Sequence, residues 1–248
     1  MTQVDVVEVA GVHRAIGLQT PLRLPPEFSA TALYEWKMAA DGDLLRQIFR
    51  TFRPMRHLEF GTWLGDGVLR CVEECDATVW TINLLEGESR PDGGWAYGER
   101  MRREWERIRA WAQLAGPKDN EGVRTDAHGM IGFNYLKAGW GKRVCQIYAD
   151  SREWDTRAYP DGFFDTALID GGHTADIVAN DTSKTLRLVR SGGLVMWHDF
   201  CPDPDVLTRC ESTRGVHSYI TSHLNELSPS FRQLFWIKPS WLLIGVRA

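Results

Sequence analysis

Acidic and imidazole side chains follow two apolar runs in the second half of the chain. Asp170 comes directly after the run 164–169, His173 lies three residues further on, and His198-Asp199 follows the next apolar run. Two carboxylates at the ends of adjacent strands can converge on one hard cation such as Mg²⁺. An imidazole that titrates near neutrality can accept a proton from a substrate hydroxyl. We therefore expect Asp170 and Asp199 as metal ligands, and His173 or, second, His198 as a general base.

These residues also have simpler explanations, which the sequence leaves open. Asp170 could cap the helix that follows it, His173 could be a surface residue of that helix's first turn, and His198-Asp199 could simply form a turn. Four acid or imidazole groups at two strand ends in one predicted cleft favour the functional interpretation.

A glycine-containing segment, Glu59-Phe-Gly-Thr-Trp-Leu-Gly65, ends the first predicted strand. Glycine lets a backbone approach a ligand closely, and ligands of open α/β sheets bind beyond the carboxyl ends of the strands. The spacing G-x-x-x-G differs from the dinucleotide-binding G-x-G-x-x-G, and no phosphate-binding G-K-[ST] follows it. A dehydrogenase or an NTPase is therefore disfavoured. Taken alone, the segment could equally be a tight structural turn.

Strand and helix patterns alternate along most of the chain. Strands are predicted over 55–60, 78–83, 143–149, 164–169, 194–197, 231–237 and 241–246, and helices over 31–52, 68–74, 174–189 and 216–227. The glycine pair Gly192-Gly193 is expected to end the third of these helices. The last two strands are joined by a short turn and must be antiparallel. The pattern predicts an α/β fold with a mostly parallel, seven-stranded sheet that closes with an antiparallel C-terminal hairpin.

The N-terminal segment and the middle of the chain are less regular. Residues 1–30 are expected to form an irregular arm, so 1–53 is predicted to be an arm and helix that act as a cap or lid, and 54–248 to be the main domain. A charged helical pattern over 99–114 predicts a solvated, salt-bridged face, with an anionic substrate as the alternative.

Length and composition restrict the classes of protein. A chain of 248 residues with a formal net charge of −4 suits one α/β domain, and it has no basic excess that would indicate nucleic-acid binding. No run approaches the roughly 18 apolar residues of a membrane span, and the first 30 residues lack the apolar stretch of a signal peptide. The five cysteines have no CxxC spacing, so we expect a protein of the reducing cytoplasm.

Two motifs together resemble one enzyme family. The segment from Glu59 to Gly67 is similar to the first motif of the class I S-adenosylmethionine-dependent methyltransferases, an acidic residue followed by G-x-x-x-G. The stretch from Asp170 through Asp181 to Asp199 resembles the I-D-G-x-H...D...G-G...H-D pattern of a branch of O-methyltransferases that includes sugar and antibiotic-tailoring enzymes. The resemblance covers roughly residues 55–200.

This resemblance implies a Rossmann-like class I methyltransferase fold that binds S-adenosylmethionine and methylates a small-molecule acceptor, most simply at a hydroxyl. It implies cofactor contacts from Glu59, Gly61, Thr62, Gly65, Asn83, Glu86, Asp150, Ser151 and Asp170. The family's second strand ends in an acidic residue that binds the ribose hydroxyls, but here Asn83 holds that position and Glu86 lies three residues on. Either side chain could accept a ribose hydrogen bond.

Several points stay open at this level. Asp150-Ser151 is similar to the family's adenine-contacting pair, but Asp150 could also cap the short segment 152–154. The branch contains metal-dependent and metal-independent members, so the use of Mg²⁺ is undecided. The alternatives are methylation at nitrogen or carbon without metal, or a non-catalytic protein that binds S-adenosylmethionine. The sequence does not decide whether the chain forms a homo-oligomer.

Overall fold

The computed structural model of the protein describes residues 4–23, 30–84 and 131–248, with only the backbone described over 30–40. The strands are β1 (Asp5–Glu8), β2 (Arg56–Phe60), β3 (Thr78–Asn83), β4 (Val144–Tyr148), β5 (Phe164–Ile169), β6 (Val189–Trp197), β7 (Phe231–Lys238) and β8 (Leu243–Arg247). The helices are α1 (Val9–Ala15), α2 (Ala30–Phe52), α3 (Asp66–Glu74), α4 (Phe133–Lys137), α5 (Ala175–Leu188), α6 (Pro204–Arg209), α7 (Glu211–Ser222) and α8 (Leu224–Leu227).

All eight strands form one sheet in the order β1-β7-β8-β6-β5-β2-β3-β4. Neighbouring strands are parallel except in the two pairs that contain β8. The predicted Rossmann-like sheet with an antiparallel C-terminal hairpin is therefore confirmed. Parallel strands end at the same edge, so the turns after β2, β3, β4, β5 and β6 meet on one side of the molecule.

The sheet has one strand more than the seven predicted, because Asp5–Glu8 adds β1 alongside β7. The prediction of an irregular arm was wrong for this segment and for α1, which follows it directly. A strand of four residues with an acidic residue at each end is too short to show a recognisable alternation of apolar and polar residues.

The glycine pair Gly192-Gly193 does not end a helix, as predicted, but lies inside β6. Helix α5 stops earlier, at Leu188, and β6 begins at the next residue. A Cβ at Gly193 would lie 2.5 Å from the carbonyl oxygen of Asp165, where the register between β5 and β6 shifts. The glycine is needed because the two backbones approach each other closely at this irregularity.

Apolar side chains cover both faces of the sheet, so β5 is buried along its whole length. Ile169 and Trp197 pack on one face with residues of α5 and α7, whereas Leu168 and Met196 pack on the other with residues of α2 and α3. This alternation follows from the two-residue period of a strand. Among the described residues, no helix has the length and apolar composition that a membrane span requires.

Candidate active site

The turn after β2 lies against the end of β5. Gly61 has φ +94°, which favours glycine, and a Cβ at this position would lie 2.1 Å from the carbonyl oxygen of Asp170. Gly65 has φ +85°, and its Cβ would lie 2.6 Å from the ring of Tyr135. Glycine is therefore required at both positions, because a Cβ would collide with neighbouring atoms and because the backbone has a positive φ.

Two predicted cofactor-binding side chains form hydrogen bonds inside the protein. Asn83 Oδ1 accepts hydrogen bonds from the backbone N–H groups of Thr62 (2.9 Å) and Trp63 (3.0 Å). The Thr62 hydroxyl is buried, lies 2.7 Å from that of Thr81 and accepts a hydrogen bond from Gln146. Asn83 thus holds the glycine turn in place, and Thr62 anchors it to the sheet. Contacts of these two residues with a cofactor stay predictions.

Glu59 lies beneath the turn and is almost fully buried. Burial, together with the negative charge of Asp170, raises the pKa of Glu59 well above its ordinary value. A Cβ at Gly67 would lie 2.6 Å from the Glu59 carboxylate, so this glycine makes room for the acid. The cofactor contact of Glu59 stays a prediction. Glu86, the second candidate for the ribose, lies outside the described residues.

Asp150 and Ser151 form the turn after β4. The Asp150 carboxylate accepts hydrogen bonds from the backbone N–H and the guanidinium of Arg152, which lowers its pKa. The carbonyl of Ser151 accepts a hydrogen bond from Lys184, which also donates to the carbonyl of Trp154. The local capping role of Asp150 is therefore present, and an adenine contact from this turn stays a prediction.

The structure brings four predicted residues together at the ends of β5 and β6. His173 Nε2 lies 2.9 Å from Asp199 Oδ2 and 3.8 Å from Asp170 Oδ1. His198 Nδ1 lies 3.2 Å from Asp170 Oδ1 and 3.3 Å from Asp199 Oδ2. We call Asp170, His173, His198 and Asp199 the strand-end cluster.

The cluster has an outer and an inner layer. The side chains of His173 and Asp170 are 38% and 32% exposed, whereas those of His198 and Asp199 are 6% and 4% exposed. His173 and Asp170 can therefore meet a substrate, and the other two lie beneath them. Asp199 also has φ +60°, an uncommon conformation for a residue other than glycine, which indicates that its position is held by its surroundings.

Asp41 of α2 belongs to this site, although the sequence analysis did not select it. Its side chain is fully buried, and its Oδ2 lies 3.3 Å from His198 Nε2. Its carboxylate also accepts a hydrogen bond from the backbone N–H of Trp241. One signal was present in the sequence: Asp41 shares the apolar face of α2 with Leu44 and Ile48, where a carboxylate needs a buried partner.

Opposite charges dominate the electrostatics of the cluster. Burial opposes a charged imidazole, but Asp170 and Asp199 outweigh it and raise the pKa of His198 well above its ordinary value. The same balance raises the pKa of His173 to about 9. Burial likewise opposes charged carboxylates, but the charge of His198 lowers the pKa values of Asp170 and Asp199. At neutral pH the cluster therefore holds two positive and two negative groups.

Three members of the cluster can hold a metal ion. One ligand atom each from Asp170, His173 and Asp199 lies within 4.8 Å of the other two. The two carboxylates suit a divalent cation. Because Mg²⁺ prefers oxygen ligands, the set with an imidazole suits a cation such as Mn²⁺ or Zn²⁺ better.

Replacing Asp41 by Asn is expected to lower the free energy of unfolding by about 2 kcal/mol, because the buried His198 loses the negative charge beside its Nε2. Urea denaturation measures this difference. Asp43→Asn is the matched control, since Asp43 lies on the same helix but is exposed, and its effect should stay within about 0.5 kcal/mol. Equal stabilities of Asp41→Asn and Asp43→Asn would contradict the proposed charge pairing.

Solved structures with the same fold include the S-adenosylhomocysteine-bound methyltransferase PaMTH1 of Podospora anserina. It is 16% identical, with 91% of this chain and 89% of that chain covered and a TM-score of 0.53. An O-methyltransferase family protein of Burkholderia thailandensis is 14% identical, with 88% of this chain and 58% of that chain covered and a TM-score of 0.52. At these identities the similarity shows the fold alone. No curated protein sequence matches the chain.

The family model of a methyltransferase domain matches residues 58–200, which is more than half of the chain. The matched region begins in β2, includes the glycine turn and ends just after the strand-end cluster. The chain therefore belongs to this methyltransferase domain family, and its fold is the Rossmann-like fold of the similar methyltransferase structures.

Proposed function

We propose that the protein transfers the methyl group of S-adenosylmethionine to a hydroxyl group of a small molecule. The observation that carries this proposal is the contact between the glycine turn and the strand-end cluster. Gly61 touches the carbonyl of Asp170, and the imidazole of His173 lies three residues beyond Asp170 at the same edge of the sheet. A methyl donor held by the turn would therefore lie close to a partly exposed imidazole.

His173 is the proposed general base, and it acts in its neutral form. Because its pKa is raised to about 9, the neutral form increases as the pH rises towards 9, and the rate of methyl transfer is expected to rise with it. When bound, S-adenosylmethionine supplies a methyl group on a positively charged sulfur. His173 Nε2 lies 2.9 Å from Asp199 Oδ2, so in this proposal Nε2 keeps its hydrogen and Nδ1 accepts the acceptor's hydroxyl proton. The new oxygen–carbon bond forms as the carbon–sulfur bond breaks, and the electrons of the broken bond leave with sulfur. The protein contributes mainly by holding the two reactants in line.

We infer a different role for His198, the second base candidate. Its side chain is nearly buried, and both ring nitrogens face carboxylates. It therefore orients Asp170 and Asp199 and balances their charge, whereas His173 is the imidazole that a substrate can reach.

A divalent cation is an optional part of this proposal. Asp170 and Asp199 would hold it through their carboxylates, and it would lower the pKa of an acceptor hydroxyl. If His173 also bound the cation, it could not act as the base, so the two roles of His173 exclude each other. Which divalent cation binds, Mg²⁺ as the sequence suggests or another, is part of the proposal.

A hydroxyl is proposed as the methylated group because an imidazole next to a carboxylate is suited to removing a proton from oxygen. The similar structure from Burkholderia thailandensis is also named as an O-methyltransferase family protein. The expectations that the protein is cytoplasmic and binds no nucleic acid stay predictions, and the oligomeric state stays undecided. The division at residue 53 into a cap and a main domain stays a prediction as well.

Replacing Gly61 by Ala is expected to abolish binding of S-adenosylmethionine and S-adenosylhomocysteine, because the new Cβ would collide with the Asp170 carbonyl. Calorimetric titration of the wild type should give micromolar binding, about −8 kcal/mol. Gly139→Ala is the matched control, since Gly139 also has a positive φ (+82°) but has nothing within 4 Å of its Cβ position. Wild-type affinity in Gly61→Ala would place the cofactor elsewhere.

Replacing His173 by Gln is expected to lower kcat by about a hundredfold or more, the usual contribution of a general base. The affinity for S-adenosylhomocysteine should change little. The assay uses S-adenosylmethionine with a labelled methyl group and a panel of small hydroxyl-bearing compounds. His223→Gln, which removes a partly buried imidazole at the end of α7, is the control. Full activity of His173→Gln would exclude His173 as the base.

A further inference from the structure

Helix α7 contacts both partners of the His173–Asp199 pair. It lies at residues 211–222, beyond the region that the family model matches. Two of its residues, Ser212 and Gly215, are three positions apart and therefore lie on the same face of the helix.

Gly215 makes room for the backbone that carries His173. A Cβ at Gly215 would lie 1.8 Å from the carbonyl oxygen of His173 and 3.4 Å from the Cα of Thr174. Glycine in a helix interior costs about 0.5–1 kcal/mol relative to alanine. Since any side chain would push α7 away from His173, the glycine allows this close approach.

Ser212 holds the other partner. Its hydroxyl donates a hydrogen bond of 3.0 Å to Asp199 Oδ1, and the second oxygen of that carboxylate lies 2.9 Å from His173 Nε2. The sulfur of Cys210 is a further neighbour of the Ser212 hydroxyl, at 3.2 Å. One turn further along α7, His217 stacks on Phe200, the residue after Asp199, with ring centroids 5.6 Å apart.

We propose that Ser212 and Gly215 are positioning residues, which fix the distance and orientation between Asp199 and His173. Ser212 sets the carboxylate, and Gly215 sets the backbone from which the imidazole projects. Helix α7 thus acts as a template for the pair, and its effect on methyl transfer rests on the proposed function. Neither residue needs to touch the substrate or the cofactor.

The test compares Ser212→Ala, Ser212→Thr and Gly215→Ala with two controls. Ser218→Ala removes an exposed hydroxyl from the same helix. Gly11→Ala fills a glycine position in α1, where the Cβ would lie 3.2 Å from a side-chain atom of Val7 rather than from backbone. Two properties are measured: steady-state methyl transfer, and the ¹H–¹⁵N spectra of the histidine rings, which do not depend on activity.

We expect Ser212→Ala to lower kcat about tenfold and Gly215→Ala about a hundredfold, because small displacements of reacting groups are costly. The KM for S-adenosylmethionine should stay within about threefold, Ser212→Thr should recover most of the lost kcat, and the His173 ring signals should shift in both damaging variants. The controls should match the wild type. A general loss of stability would not produce this separation of kcat from KM.

Unchanged His173 ring signals and unchanged kcat in Ser212→Ala and Gly215→Ala would overturn the proposal. If Gly215→Ala does not fold, Ser212→Ala and Ser212→Thr decide the question. If the wild type methylates no hydroxyl compound, the proposed function fails, and the His173 ring signals alone decide the role of α7.

Discussion

The site depends on one constraint: the charged side chains buried beneath it must be paired with opposite charges. His198 is nearly buried and has carboxylates on both sides, Asp41 at Nε2 and Asp170 with Asp199 at Nδ1. An ion taken out of water costs several kcal/mol unless an opposite charge meets it. Because these carboxylates come from α2 and from the ends of β5 and β6, the buried imidazole of His198 meets all three of them only when these elements are packed together. The candidate active site is therefore formed by the fold as a whole.

Close backbone contacts then set the positions of the reacting groups. Gly61 brings the turn after β2 against Asp170, and Gly215 brings α7 against His173. In both places the side chain of an alanine would push apart two elements that must be in contact for methyl transfer. The positions of the reacting groups are thus fixed in two ways. The two glycines allow close contact between the elements, and the buried charges hold those elements together.

The sequence predicted strands β2 to β8, the antiparallel C-terminal hairpin and the cluster at the ends of β5 and β6, because long apolar runs and strand-end acids are local patterns. It did not reveal Asp41, whose partner lies more than 150 residues away and is chosen by tertiary packing. It assigned Gly192-Gly193 to a helix end because a glycine pair suits either a stop or a close backbone approach. It left Asn83 and Glu86 as candidates for the ribose, and only the structure shows that the side-chain oxygen of Asn83 accepts two hydrogen bonds from the glycine turn.

The most direct test of the central claim is a crystal structure of the protein with S-adenosylhomocysteine. The account predicts that the ligand lies along the Gly61–Gly65 turn with its sulfur about 6 Å from the His173 ring, which leaves room for one acceptor oxygen between them. A ligand bound away from this turn, or a sulfur on the far side of the sheet from His173, would contradict the account.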